Sequence, residues 1–334
     1  MLQADPVKVV VTEAAGHIAY SLLYSLASGE AYGKEQPVAL ALLGSSSELD
    51  ALTGVAMELQ DCAFELLRGV AVTHQEEVGF READVAVLLD PRPTWEAVRH
   101  DHLLTANARR FRSYGHALDA YAKKTVKVLV VGDLANTDCL VAMISAPSLP
   151  PENFTCLARL DQNRAQAQLT HRLGTDPGVI SNVVVWGKCS GAPIADTQLA
   201  TISCGSCKIP LRHDQWLDRD LITAVQHREA SVVRSRKLSS AASVTKAICD
   251  HLRAWWLGTK EGEWVSMGVT SDRNGYGVPE GLVYSFPVTV QNGHWQIVPD
   301  LSVSAFLRKQ MEHSAEELLV ERDTILGVLA KSHL

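Results

Sequence analysis

Three short stretches of the sequence bring together side chains that can do chemistry. In Leu160-Asp161-Gln162-Asn163-Arg164 a carboxylate and a guanidinium stand three residues apart, on one face of a helix. Such an arginine can grip a carboxylate with two parallel hydrogen bonds; the bland alternative is a structural ion pair. In Val183-Val184-Val185-Trp186-Gly187-Lys188-Cys189-Ser190 an apolar run delivers a thiol to the end of a strand. Cys189 there reads as a nucleophile, as a packed thiol, or as the replacement of a lost proton carrier. In Thr12-Glu13-Ala14-Ala15-Gly16-His17-Ile18-Ala19 a small-residue turn joins an apolar strand to an apolar helix. Small residues let the backbone approach a pyrophosphate, whose charge meets the helix N-terminus. Glu13 stands where glycine normally opens such a turn, so its charge must swing away from a bound phosphate. His17 is either a substitute acid or an exposed helix-start histidine.

The seven cysteines lie at 62, 139, 156, 189, 204, 207 and 249, and only Cys204 and Cys207 are close. That pair is half a zinc site, but no second CxxC or HxxxH completes it, and His213 is the one nearby third ligand. Flanked by LATIS and KIPL, it reads as two ordinary thiols at a hairpin, and no metal site is expected. An odd number of scattered cysteines without an export signal points to a reducing, cytoplasmic setting. Acidic and basic residues, 38 and 31 for a net charge of −7, are mixed along the 334 residues, which argues against a nucleic-acid surface. No apolar run reaches the roughly 18 residues that cross a bilayer, so no membrane partner is expected.

The elements that position these groups alternate in the first half. Val7–Val11, Val38–Leu43, Asp84–Leu89 and Lys127–Gly132 are apolar runs of strand length. Helical patterns follow at Ile18 to Leu26, Glu48 to Cys62 and about Leu103 to Lys123. Apolar strands separated by helices make a parallel sheet covered on both faces, with ligands at the strands' carboxyl ends. The fold class expected is α/β: a Rossmann-type doubly wound parallel sheet over residues 1–153. A second, α+β substrate-type domain is expected over 154–334. Its elements are a strand at Asn182–Gly187, turn-rich chain to Leu211, helices near Leu217–Arg228 and Ser239–Trp256, a hairpin over Leu282–Val298 turning at Asn292-Gly293, and a last helix over Val303–Leu329.

At the end of the second strand, where an acidic residue takes a ribose hydroxyl, the chain reads Leu43-Gly44-Ser45-Ser46-Ser47 with no carboxylate. Gly44 and its hydroxyl neighbours remove the repulsion that excludes a 2′-phosphate. The turn therefore leans toward NADP over NAD, although the arginine that would grip that phosphate is absent, and NAD and NADP are both expected as possible cofactors, with weakened binding.

The stretches TEAAGHIAYSLLYSLASGE, GVAMELQDCA, LLTANARRF, ALDAYAKKTVKVLVVGD, ANTDCL, SAPSLPPENFTCLARLDQNRAQAQL, VVVWGKCS, RKLSSAASVTKAICDH and EWVSMGV closely resemble the cytosolic malate dehydrogenase family, within the lactate/malate dehydrogenase superfamily. The likeness runs from about Val7 to the last helix. It implies a homodimer that moves a hydride between malate and NAD, with a histidine held by an aspartate and arginines that clamp two carboxylates. The family's LDxNR aspartate and substrate arginine are kept as Asp161 and Arg164. Its WGNHS histidine is Cys189. In the loop that reads PRREGMER in the family, Thr94 and His100 replace the two clamp arginines, with Arg99 one position off and Trp95 new. The GNPANT asparagine is Asp133, beside a retained Gly132. The SQGAALD glutamine is Tyr114, and the cofactor-holding Asn107 is kept.

These substitutions bear on the reaction the resemblance implies. Reducing a keto acid needs a proton donor at the carbonyl, for which a near-neutral histidine is worth about 10²–10⁴-fold in rate. A cysteine titrates near 8.5 and holds its proton more firmly still beside an anionic aspartate. Asp133 sets a negative charge where an anionic substrate lies; at about 4 Å and an effective dielectric of about 20 the repulsion is about 4 kcal/mol. The expectation is a divergent, pseudoenzyme-like member whose malate/oxaloacetate hydride transfer is weak or lost. The alternative is an active NAD(P)-dependent malate or 2-hydroxyacid dehydrogenase of altered preference, taking a small carboxylate through Arg164.

Overall fold

The computed structural model describes residues 4–90, 100–189, 192–204, 207–212 and 214–331, with the side chains of 100, 101, 218 and 331 left out of the description. It divides into two units, one running to Cys156 and including the chain from Val320 on, the other Leu157–Leu319.

The first unit is built from β1 (Val7–Val11), α1 (His17–Ala27), β2 (Val38–Leu43), α2 (Leu49–Asp61), β3 (Leu67–Thr73), α3 (Glu76–Phe80), β4 (Val85–Leu89), α4 (His100–Tyr121), β5 (Lys127–Val131), α5 (Ala135–Ile144) and β6 (Phe154–Cys156). Its strands lie in the order β3-β2-β1-β4-β5-β6, all parallel, with Val9 level with Leu40 on one side and Val85 on the other. β1, β4 and β5 are β-branched runs with hardly an exposed side chain. That is the composition of strands covered by helices on both faces. The order reverses between β1 and β4, which places the ligand crevice of a doubly wound sheet at their carboxyl ends. β3 is an unexpected strand at the edge, with Arg68 and Gly69 exposed. β6 closes the sheet of the first unit, although its residues open the second domain in the sequence reading.

The second unit contains α6 (Arg159–Leu173), β7 (Ile180–Ser181), β8 (Val184–Trp186), β9 (Ile194–Asp196), β10 (Thr201–Cys204), β11 (Cys207–Pro210), α7 (Gln215–Asp218), α8 (Asp220–Gln226), α9 (Arg228–Arg236), α10 (Ala242–Leu257), β12 (Val265–Thr270), β13 (Val283–Gln291), β14 (His294–Ile297) and most of α11 (Ala305–Lys331). β12, β13 and β14 form an antiparallel meander. Its turn has positive φ at both Asn292 (51°) and Gly293 (77°), the type I′ geometry that the Asn-Gly pair signals. Trp186, Trp255, Met267, Tyr284 and Phe286 form the centre of the larger core. A smaller cluster under α6 and α8 is built on Leu169, Val183, Leu221 and Val225. β10 and β11 pair as the hairpin read around Cys204 and Cys207, while α9 is a helix the sequence reading did not separate.

Candidate functional site

In the first unit, β1 ends in a turn that folds back on itself: the Gly16 N–H donates to the Glu13 carbonyl at 2.9 Å. A Cβ at Gly16 would lie 3.1 Å from that oxygen, so a larger residue would open the turn. α1 starts directly after Gly16, which has no side chain to cap it, so the helix N-terminus opens at the end of β1. Glu13 sits at φ 49°, a left-handed conformation that costs a residue with a Cβ about 1–2 kcal/mol. Its half-buried carboxylate does swing aside, onto the Arg110 guanidinium of α4 at 2.8 Å. Burial pushes the Glu13 carboxyl above its ordinary range and Arg110 pulls it back. His17 is exposed.

The turn after β2 corrects the sequence reading. A carboxylate is present there, supplied by Glu48 from three residues on. Its Oε2 accepts hydrogen bonds from the Ser45 N–H at 2.8 Å and the Ser45 hydroxyl at 2.6 Å. These two bonds, with Arg110 adding to them, hold the Glu48 carboxyl below its usual range. A Cβ at Gly44 would meet the Leu52 side chain at 2.8 Å and Glu48 Oε2 at 3.2 Å, so a larger residue there would press on the groups that hold the turn.

Near the other carboxyl ends Asp90 and Asp138 are buried. Gly132 packs so closely on Asp90 that a Cβ would lie 2.4 Å from the Asp90 Cβ. Asn107 is buried and donates from Nδ2 to Asp138 Oδ2 at 2.9 Å, while Asp138 Oδ1 has no hydrogen-bond partner. Burial first, and the Asp90 charge second, push the Asp138 carboxyl well above its ordinary value. Next to it, the Thr137 hydroxyl donates to Glu321 at 2.5 Å. Asp133 is exposed. Tyr114 lies in the core, edge-on to Phe80 and Phe111 at 5.8 Å from each. Thr94, Trp95 and Arg99 lie outside the described residues, as does the His100 side chain.

In the second unit, Asp161 lies in the first turn of α6, where the helix dipole favours a carboxylate, and is buried. Arg164 Nη1 donates to Asp161 Oδ1 at 3.3 Å, the i,i+3 pair read from the sequence. The other guanidinium nitrogen, Nη2, donates to Glu229 Oε2. Glu229, in the first turn of α9, also accepts from the Ser240 N–H at 3.0 Å and the Ser240 hydroxyl at 2.8 Å. Neither Glu229 nor Ser240 was visible as a site residue in the sequence. Glu229 is 65 positions from Arg164, and α9 has no buried residue to mark it.

Cys189 follows β8 and is fully buried. The chain leading to it is clamped: Gly187 exchanges backbone hydrogen bonds with Ser285, and the Lys188 N–H donates to Ser314 Oγ at 2.9 Å. Gly187 has φ 91°, and a Cβ there would lie 2.6 Å from Ser314 Oγ. A buried thiol is a packed residue and a poor nucleophile. None of the seven cysteines, all among the described residues, is in a disulfide; Cys204 and Cys207 are exposed, directly opposite one another across β10 and β11. Among the described residues no three His, Cys, Asp or Glu side chains are grouped to hold a metal ion, and no helix is long and apolar enough to cross a membrane. His213 lies outside the described residues.

Comparison with known proteins gives a consistent result. Residues 7–155 match the lactate/malate dehydrogenase NAD binding domain, and residues 158–327 match the lactate/malate dehydrogenase alpha/beta C-terminal domain. The cytoplasmic malate dehydrogenase of Gallus gallus is 49% identical over 332 residues, 98% of this chain and 99% of that protein. That of Homo sapiens is 48% identical over 333 residues, covering 98% and 100%. Two solved structures superpose with a TM-score of 0.92. Malate dehydrogenase from Naegleria fowleri is 36% identical and covers 97% of this chain and 99% of its own. Trichomonas vaginalis lactate dehydrogenase in complex with NADH and oxamate is 34% identical with the same coverage.

Proposed function

This chain belongs to the lactate/malate dehydrogenase family, and from that footing we propose that its malate/oxaloacetate hydride transfer is weak or lost. In this reading it keeps an NAD-binding first unit and acts mainly as a binding or structural protein. Bound NAD supplies the hydride acceptor or donor. The α1 N-terminus behind Gly16 would hold the pyrophosphate, with Arg110 neutralising Glu13 beside it. The Glu48 carboxylate at the turn after β2 suits ribose hydroxyls and opposes a 2′-phosphate, which favours NAD over NADP.

The observation that carries the reading is Cys189. The motif position that bears an imidazole in the family bears a buried thiol on a clamped backbone. An imidazole gives and takes a proton near neutral pH; a thiol in a low-dielectric pocket keeps its proton. The test is oxaloacetate reduction with NADH and with NADPH, for the native chain beside Cys189→His. Negligible turnover by the native chain, with a gain on restoring histidine, supports the proposal; brisk native turnover overturns it. A thermal shift with NADH in the absence of turnover supports the retained binding.

A second reading is favoured by the intact Asp161–Arg164 pair and by similarity along almost the whole chain. It is an active NAD(P)-dependent dehydrogenase acting on a different 2-hydroxy acid, a monocarboxylate held by the one retained arginine. The lactate dehydrogenase relative in complex with NADH and oxamate makes oxamate a natural probe of that carboxylate site. We further place the protein in the cytoplasm, as the names of its relatives suggest, and as a homodimer. The groove between α1 and α2 where Tyr20 and Tyr24 lie exposed beside Val55 and Cys62 supports the dimer.

A further inference from the structure

Arg164 is the one carboxylate-binding arginine that the sequence retains, and it is already engaged. Its guanidinium bonds the Glu229 carboxylate, which also takes the Ser240 N–H on one oxygen and the Ser240 hydroxyl on the other. A guanidinium, a backbone N–H and a hydroxyl converging on two oxygens of one carboxylate form a complete carboxylate site. Arg164 is only 12% exposed, and Ser240 is buried. α9, which brings Glu229 there, buries none of its own residues. Few apolar contacts therefore tie its first turn down, and the carboxylate is its anchor.

We propose that Glu229 is a tethered competitor for the Arg164–Ser240 carboxylate site, so that a free 2-oxo or 2-hydroxy monocarboxylate enters only when the first turn of α9 moves aside. This rests on the reading of Arg164 as the carboxylate-binding arginine. A short tether holds its carboxylate at an effective concentration on the order of millimolar or above. The affinity for a free ligand falls by the fraction of molecules in which the site is open. Glu229→Gln removes the charge but keeps the size and an acceptor oxygen for Ser240. The free ligand then gains what a charge-assisted contact is worth, about ten- to a hundredfold in affinity.

The experiment is calorimetric titration of the full-length protein with oxamate, with and without saturating NADH, for the native chain, Glu229→Gln, Glu229→Asp and the Arg164→Gln/Glu229→Gln double variant. Glu229→Asp keeps the charge and shortens the reach, so it covers the case in which Glu229→Gln does not fold. A parallel measurement on the same proteins maps phenylglyoxal modification of Arg164 by mass spectrometry. Oxamate is expected to bind at least tenfold tighter to Glu229→Gln than to the native chain, with Glu229→Asp between them and the double variant back at the native level or below. Arg164 modification is expected to be slow in the native chain and fast in Glu229→Gln, where oxamate protects it. Equal affinity of native and Glu229→Gln proteins, or binding by neither, overturns the proposal. Tightening that survives in the double variant overturns it too, since the ligand then sits elsewhere. Both readouts are independent of hydride transfer, so brisk native turnover would remove the proposed loss of activity without touching this result.

Discussion

Replacing Asp138 by asparagine is expected to stabilise the first unit, and only above acidic pH. Asp138 is fully buried in α5, with one oxygen on Asn107 Nδ2 and the other without a partner. Burial, then Asp90, and further off Glu321 and Asp133, push its carboxyl well above the ordinary value; Asn107 opposes them. A carboxyl with a raised folded-state pKa contributes stability that is fully present below its unfolded value, about 3.9. That contribution is lost as pH rises through the folded value. Native stability should therefore decline from mildly acidic toward alkaline pH through this group. The substituted side chain cannot ionise and accepts from Asn107 as before. An unsatisfied buried group costs about 1–3 kcal/mol when neutral and more when charged, so removing the charge alone is expected to gain about 2 kcal/mol at the alkaline end of the range. In a unit of this size that raises the Tm by about 4–8 °C. Thermal unfolding of both proteins followed by circular dichroism from pH 5 to pH 8.5 reads it directly. A gain of the same size at every pH, or a loss at pH 8, would refute the account of this buried carboxyl. Because Asp90 and Asp138 press on each other, the gain in an Asp90→Asn/Asp138→Asn double variant should fall short of the sum of the two single gains.

Other consequences follow from the same geometry. Arg110→Gln leaves the Glu13 carboxylate uncompensated at the phosphate turn; NADH affinity measured by fluorescence titration should fall about tenfold or more, while stability changes by no more than about 1 kcal/mol for so exposed a pair. Glu48→Gln should narrow the preference for NADH over NADPH by about tenfold, because the charge that opposes a 2′-phosphate is gone; an unchanged ratio removes Glu48 from cofactor choice. Tyr24→Glu, at a position 54% exposed, should leave the fold intact and shift sedimentation from dimer to monomer. A bidentate arsenical should link Cys204 and Cys207 and spare buried Cys139, Cys156, Cys189 and Cys249, as peptide mass mapping would show.

The strands that carry the first unit were legible because β2 and β4 are unbroken apolar runs and β1 and β5 depart from one only at Lys8 and Lys127, and such runs are what a sheet covered on both faces demands. β3 was not, since an edge strand with Arg68 and Gly69 exposed has no continuous pattern. α9 was hidden for the matching reason: with no buried residue it shows no apolar stripe. The site divides the same way. Asp161 and Arg164 are three apart and announce each other, whereas Glu229 reaches Arg164 only through the fold. Glu48 could have been found, because Ser45-Ser46-Ser47-Glu48 has the spacing at which a carboxylate reaches back over a helix start. Asp138 was in plain view inside ANTDCL, but a carboxylate's cost is set by its burial, which the sequence does not state.

A family that binds a dinucleotide and a small carboxylate holds cations and bare N–H groups in readiness for anions. On the function proposed above, this chain's own acids take such groups up. Glu229 is on Arg164 and Ser240, Glu13 is on Arg110, and Glu48 is on the Ser45 donors. Each internal pair satisfies its partners in the absence of ligand, so the fold loses little when nothing is bound. The same pairing must be broken or tolerated when an anion arrives. The two halves of a pair should therefore have effects of opposite sign on binding and of like sign on stability. Removing Glu229 or Arg164 should each lower the Tm, yet only the loss of Glu229 should strengthen oxamate binding. A pair that merely braces α9 against α6 would lower the Tm in both variants and leave oxamate indifferent to the loss of Glu229.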